Sequence, residues 1–158
     1  MTRDRGRPAA SVGRILVVED SPSARRLMQD VLLRLGAGLP NIRVVSSIVE
    51  ALTVFSQWHP EVVFVDVELR SPAVGSLPAE TPPSSDRDPK DGAALASLFL
   101  KRDPGVRIIF CTAADPSDPR VSDLVSHHPV ELIVKPLLAS RVEEVLARGT
   151  AADSRGRS

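Results

Sequence analysis

Five residues of this 158-residue chain have the types needed to act together: the carboxylates Glu19, Asp20 and Asp66, the hydroxyl of Thr112 and the ammonium of Lys135. Each stands at the end of a short apolar run. Asp66 closes Glu61-Val62-Val63-Phe64-Val65-Asp66, and a carboxylate at the end of such a run is expensive unless something compensates its charge. Three carboxylates within a few ångströms repel, raise one another's pKa values and destabilise an empty site at neutral pH. They attract a hard cation. Oxygen ligands with neither His nor Cys nearby favour Mg²⁺ over zinc, and Mg²⁺ keeps waters and often co-binds a phosphoryl group. A carboxylate can also accept phosphoryl as a nucleophile while a metal, an ammonium and a hydroxyl neutralise charge on the transferring oxygens. Lys135 and Thr112 have the chemistry for the last two roles.

The elements that must gather these groups follow from periodicity. Ile15-Leu16-Val17-Val18, Ile42-Arg43-Val44-Val45, the Asp66 run, Val106 to Cys111 and Val130 to Val134 are rich in β-branched residues and read as strands, the apolar ones buried on both faces. Amphipathic segments separate them. Ser21 caps a helix with Pro22 at its first position and Ala24, Leu27, Met28, Val31 and Leu35 on one face, ended by Gly36-Ala37-Gly38. Ser47 and Glu50 have capping-box spacing before a helix holding Ala51, Leu52 and Phe55, with Trp58 and His59 at its end. Asp91-Gly92 opens a helix with Leu95, Leu98 and Phe99 inward. Asp118-Pro119 starts a weaker one, and the last helix shows Leu138, Val142, Val145 and Leu146.

Five strands alternating with five helices imply an α/β fold, a flavodoxin-like (βα)5 three-layer sandwich whose parallel sheet has the order 2-1-3-4-5. In such sheets ligands bind outside the carboxyl ends of the strands, where the strand order reverses. Strands one, three, four and five are then consecutive neighbours, and the five chemical groups share one rim. Taken singly, Glu19-Asp20 reads as a solvated strand end, Asp66 as a turn residue and Thr112 as an ordinary small polar residue. Their joint placement reverses that.

Composition bounds the rest. With 42% hydrophobic residues the chain suits one globular domain with a real core. Twenty basic and twenty acidic residues cancel, so no overall field points to nucleic acid or a membrane. Cys111 is the single cysteine, which fits a reducing compartment. No apolar h-region or membrane-length run is present, and the chain reads as cytoplasmic. Residues 1–13, with Arg3, Arg5 and Arg7, read as a disordered tail, 14–148 as the domain and 149–158 as a second tail. Within the domain, Val67 to Lys90 reads as an inserted Pro/Ser-rich disordered loop. The adjacent His127 and His128 point in different directions and read as a solvated helix end.

Ile15-Leu16-Val17-Val18-Glu19-Asp20-Ser21, Phe64-Val65-Asp66, Asp91-Gly92, Cys111-Thr112-Ala113 and Val134-Lys135-Pro136 together resemble the receiver domain of bacterial two-component response regulators, over about residues 14 to 148. The resemblance implies that Asp66 takes phosphoryl from a sensor histidine kinase or phosphotransfer protein. It implies that Glu19, Asp20, Asp66 and the backbone carbonyl of Glu68 hold Mg²⁺, that Lys135 and Thr112 contact the phosphoryl group, and that Lys135-Pro136 is a cis peptide. A receiver of this kind is no enzyme toward other substrates, catalysing only its own phosphorylation and dephosphorylation. The chain departs from the pattern at Leu132, where receivers commonly carry an aromatic switch residue, and in the long segment after Asp66. With about ten residues after the last helix it reads as a stand-alone receiver whose output is a partner protein, and the resemblance admits a homodimer through the fourth and fifth helices and fifth strand. Two other functions compete: a pseudo-receiver that binds proteins without being phosphorylated, and, last, a phosphatase of the haloacid-dehalogenase type, whose second aspartate is Glu68 here.

Overall fold

The β-branched runs form five parallel strands, β1 (Ile15–Val18), β2 (Ile42–Val45), β3 (Val62–Asp66), β4 (Arg107–Thr112) and β5 (Val130–Val134). They belong to a computed structural model that describes residues 13–69, 91–113, 115, 117–127 and 130–153. The expected N-terminal tail up to residue 12, residues 70–90 of the expected insertion, His128 and residues 154–158 lie outside the described residues. The sheet order is β2-β1-β3-β4-β5, the flavodoxin-like order expected from the alternation. Register sets the rim: Val18 pairs with Val65, Asp66 with Cys111 and Thr112 with Val134. The residues that follow β1 and β5 therefore lie close to Asp66 along the strand direction.

The helices α1 (Pro22–Arg34), α2 (Ile48–Trp58), α3 (Gly92–Arg102), α4 (Pro119–His127) and α5 (Ala139–Asp153) complete the alternation. Alternate strand residues feed two apolar layers, since successive side chains point to opposite faces. Val17, Phe64, Ile109 and Ile133 pack with Met28, Val31 and Leu32 of α1 and Val142 and Val145 of α5. Leu16, Val63, Val65, Ile108 and Phe110 pack with Ile48, Ala51 and Phe55 of α2 and Leu95, Ala96 and Phe99 of α3. The Phe55 and Phe99 rings stack with centroids 4.0 Å apart. Among the described residues no helix is long and apolar enough to cross a membrane.

The caps act as their spacing predicts, with one variation. Ser21 Oγ accepts from Ala24 N, Ser47 Oγ from Glu50 N at 3.2 Å and the Asp91 carboxylate from Ala94 N at 2.8 Å. Glu50 reaches back to the amide and hydroxyl of Ser46 instead of the Ser47 amide. His59 closes α2 in the left-handed region, and its carbonyl accepts from Arg14, while half-buried Trp58 lies under the Arg43 guanidinium at 5.4 Å.

Three helix faces differ from expectation. On α1, Leu27 is exposed and Leu32 is fully buried, because Met28, Val31, Leu32 and Leu35 make the continuous i, i+3, i+4, i+7 stripe and Leu27 stands about 100° to its side. Before α5, Leu137 is buried and Leu138 is exposed. On α3 the inward set is Leu95, Ala96 and Phe99, with Leu98 half-buried. Helix α5 continues to Asp153, past residue 148, although Gly149 and Thr150 are poor helix formers.

Candidate functional site

Asp66 is the last residue of the central strand and is only 3% exposed. The β1 end brings Glu19, 4% exposed, beside it, and Asp20 follows at the surface. Carboxylate oxygens of Glu19, Asp20 and Asp66 lie within 4.8 Å of one another. Lys135, immediately after β5, reaches back across the rim: its Nζ is 3.0 Å from Glu19 Oε2 and 3.6 Å from Asp66 Oδ1. Lys135 N donates to Thr112 O at 2.8 Å, which fixes the end of β5 against the end of β4. Thr112 is fully buried, and the Lys135-Pro136 peptide is cis. The sheet thus brings together all five groups expected at the rim.

Local contacts hold the acidic loop in shape. Ser21 N donates to Glu19 Oε1 at 3.1 Å. One nitrogen of Arg25, a turn into α1, donates to the carbonyls of both Glu19 and Asp20 at 3.0 and 2.9 Å, so the backbone carrying two carboxylates is tied to the helix. On the other side, Leu69 N donates to Asp66 O and Gly92 N to Leu69 O. Leu69 is fully buried, so the chain after Asp66 turns back into the core before residue 70. Gly92 then packs directly on the Asp66 backbone: a Cβ there would lie 2.0 Å from Asp66 O. The glycine of Asp91-Gly92 is needed for close approach.

The Glu68 side chain was not legible as a site residue; only its backbone carbonyl was expected to serve. Its Oε1 accepts from Thr112 Oγ1 at 2.6 Å and from Ala113 N at 3.1 Å, while Glu68 N donates to Asp66 Oδ1 at 3.0 Å. Arg25 was likewise not singled out, and Gly92 was visible as a helix opener and as part of the Asp91-Gly92 motif. The one signal for Glu68 is its position two residues beyond a strand-end carboxylate.

Burial leads the electrostatics of the site. Asp66 is pushed up to about 8, first by burial, then by a hydrogen bond with the Glu68 side chain and by the Glu19 charge, against the opposing pull of Lys135 and the Glu68 amide. Desolvation outweighs the repulsion within the acidic triad because Asp66 ends a strand enclosed on both faces. Burial lowers the Lys135 pKa, but its hydrogen bond to Glu19 and the charges of Asp66, Glu19 and Glu68 outweigh that and raise it, so the ammonium stays charged. Burial pushes the neighbouring Cys111 thiol up to about 12, which leaves it unreactive. A cavity of about 10 Å³ beneath Glu19 and Asp66 is sized for one water rather than an organic ligand.

The residues fit a hard divalent cation. Buried and exposed carboxylate oxygens converge without sulfur or imidazole, which is the donor set of a hard cation.

No protein-family model and no curated protein matches the chain. Solved structures do. A CheY-like response regulator receiver domain from Methanospirillum hungatei JF-1 is similar with a TM-score of 0.68 at 18% identity, over 92% of this chain and 99% of that one. The receiver domain of NtrX from Brucella abortus is similar at 0.63 and 25% identity, over 85% and 95% of the two chains. The response regulator TrrA from Thermotoga maritima, solved in complex with Mg²⁺ and BeF, is similar at 0.63 and 23% identity, over 86% and 97%. The chain has the fold of a response-regulator receiver domain.

Proposed function

We propose that this chain works as a receiver: Asp66 accepts a phosphoryl group from a phosphohistidine of a sensor histidine kinase or phosphotransfer protein, and the phosphorylated form signals by protein-protein interaction. The observation that carries the proposal is the position of Asp66, a buried strand-end carboxylate with a charged ammonium at 3.6 Å and two further carboxylates converging on it. Glu19, Asp20, Asp66 and the Glu68 backbone carbonyl would hold Mg²⁺, which when bound neutralises charge on phosphoryl oxygens. Lys135 supplies a fixed positive charge at the same oxygens, and Thr112 a hydroxyl donor from the end of β4. These groups serve the protein's own phosphorylation and dephosphorylation; it is no enzyme toward other substrates.

The added phosphoryl brings about 1.5 to 2 negative charges to the rim. Drawing Thr112 toward it reshapes the surface of β4, α4 and β5, with Leu132 in place of an aromatic switch. On this reading the protein is cytoplasmic, its output is a partner protein rather than nucleic acid or a membrane, and a homodimer through α4, β5 and α5 would cover the exposed Val125 and Val134.

Mg²⁺ alone should raise the melting temperature of the parent by binding only the native state, and Mg²⁺ with beryllofluoride should shift the amide resonances of Thr112, Ala113 and the β4–α4–β5 surface. Asp20→Asn should weaken both responses. Unchanged spectra would sink the switch, and an equal Mg²⁺ effect in Asp20→Asn would remove that residue from the site. A second reading, a pseudo-receiver that is never phosphorylated, is favoured by one observation: Glu68 already occupies the Thr112 hydroxyl and the Ala113 amide.

A further inference from the structure

We propose that the Glu68 side chain is an internal competitor for the phosphoryl seat, holding the donors that a phosphoryl group on Asp66 would take and so limiting how fast Asp66 is loaded. The inference rests on the phosphoacceptor reading of Asp66. Two donors from the end of β4, Thr112 Oγ1 at 2.6 Å and Ala113 N at 3.1 Å, converge on one oxygen, Glu68 Oε1. A hydroxyl and an amide aimed at one anionic oxygen form a ready oxyanion pair. Thr112 is fully buried one residue beyond Cys111, the partner of Asp66 in the sheet, so the same donors face a group on Asp66 once Glu68 leaves them. Glu68 belongs to the turn after β3 and is exposed, which leaves its side chain room to move into solvent.

A phosphoryl group entering beside Asp66 carries charge on three peripheral oxygens. The Thr112 hydroxyl has one proton to donate, so a phosphoryl oxygen can take it only after Glu68 lets go. The carboxylate also adds negative charge next to the acceptor, against an anionic donor. Both effects slow loading. The amide of Glu68, which holds Asp66 Oδ1 at 3.0 Å, belongs to the backbone and is retained when the side chain is replaced.

The test uses phosphoramidate and saturating Mg²⁺ with the full chain, followed by intact mass. An Asp66 oxygen bonds to phosphorus as the phosphorus–nitrogen bond breaks, its electron pair going to nitrogen, and the N-protonated donor releases ammonia. Glu68→Ala should load about tenfold faster than the parent, the lower range for losing a competing hydrogen bond to a charged group. Glu68→Gln, which keeps the acceptor oxygen but not the charge, should fall between. In donor-free, metal-free protein the Ala113 amide proton should move upfield in Glu68→Ala as its charged acceptor leaves. A parent that loads at Asp66, with Glu68→Ala loading no faster at equal Mg²⁺ saturation, would overturn the competitor and leave the phosphoacceptor reading standing. An unmoved Ala113 amide would also overturn it. Loading in Glu68→Ala with none in the parent would support it in its strongest form, and loading in neither would overturn the phosphoacceptor reading itself.

Discussion

Replacing Asp66 with Asn stabilises the metal-free protein at neutral pH and removes most of the fall in its stability between pH 5 and 8. Asp66 titrates near 8 in the folded chain against an ordinary 3.8, so across that window the native state holds a proton that the unfolded chain has released. Stability falls with rising pH wherever the native state binds more protons. The contribution is complete below the unfolded value and lost as pH rises through the folded one. Asn carries no ionisable proton and keeps an oxygen to accept from the Glu68 amide. The expected gain at pH 7.5 in EDTA is about 3 to 8 °C, given roughly 2–4 °C per kcal/mol for a chain of this size. Melting curves of both proteins from pH 5 to 8.5 check it. A parent curve flat over that range, or an Asn variant melting below the parent at pH 7.5, would contradict the assignment. Saturating Mg²⁺ should erase much of the difference by stabilising the parent.

Gly92→Ala is the single methyl expected to do the most damage. The new Cβ would lie 2.0 Å from Asp66 O, 3.0 Å from Asp66 C and 3.1 Å from Val65 Cγ1. The first two are backbone atoms at the end of β3 and cannot rotate away. Either the first turn of α3 lifts or the end of β3 shifts, and both break the Gly92 to Leu69 hydrogen bond that returns the chain to the core. A loss on the order of 3 kcal/mol or more is expected, as for other overpacked buried sites. Gly105→Ala is the control, since a Cβ there first meets only the side-chain oxygen of Asp103 at 3.3 Å. Urea denaturation of the two variants beside the parent decides the matter; midpoints equal within error for Gly92→Ala would refute the close approach.

Most of the fold could be read from the chain because its signals agree with one another. Apolar runs such as Ile15 to Val18 and Val62 to Val65 end at charged residues, and Ser21, Ser47 and Asp91 mark helix starts that the structure keeps. The placement of Glu19, Asp20, Asp66, Thr112 and Lys135 on one rim follows from sheet topology alone. What periodicity misses is a one-residue choice between neighbouring leucine-rich stripes, as at Leu27 against Leu32, where packing against the sheet decides. The direction of a turn side chain is hidden for a different reason. Glu68 meets Thr112 and Ala113 across the gap between β3 and β4, a contact set by turn conformation and by no spacing in the sequence. The ranking of burial above repulsion at Asp66 likewise needs the depth of the strand end, which residue type does not carry.

Intact mass after incubation with Mg²⁺ and acetyl phosphate, parent beside Asp66→Asn, tests the central claim most directly. One alkali-labile phosphoryl group on the parent and none on the Asn variant is the predicted result. No adduct on the parent despite Mg²⁺ binding, or the same adduct on both proteins, would contradict the assignment of Asp66 as phosphoacceptor.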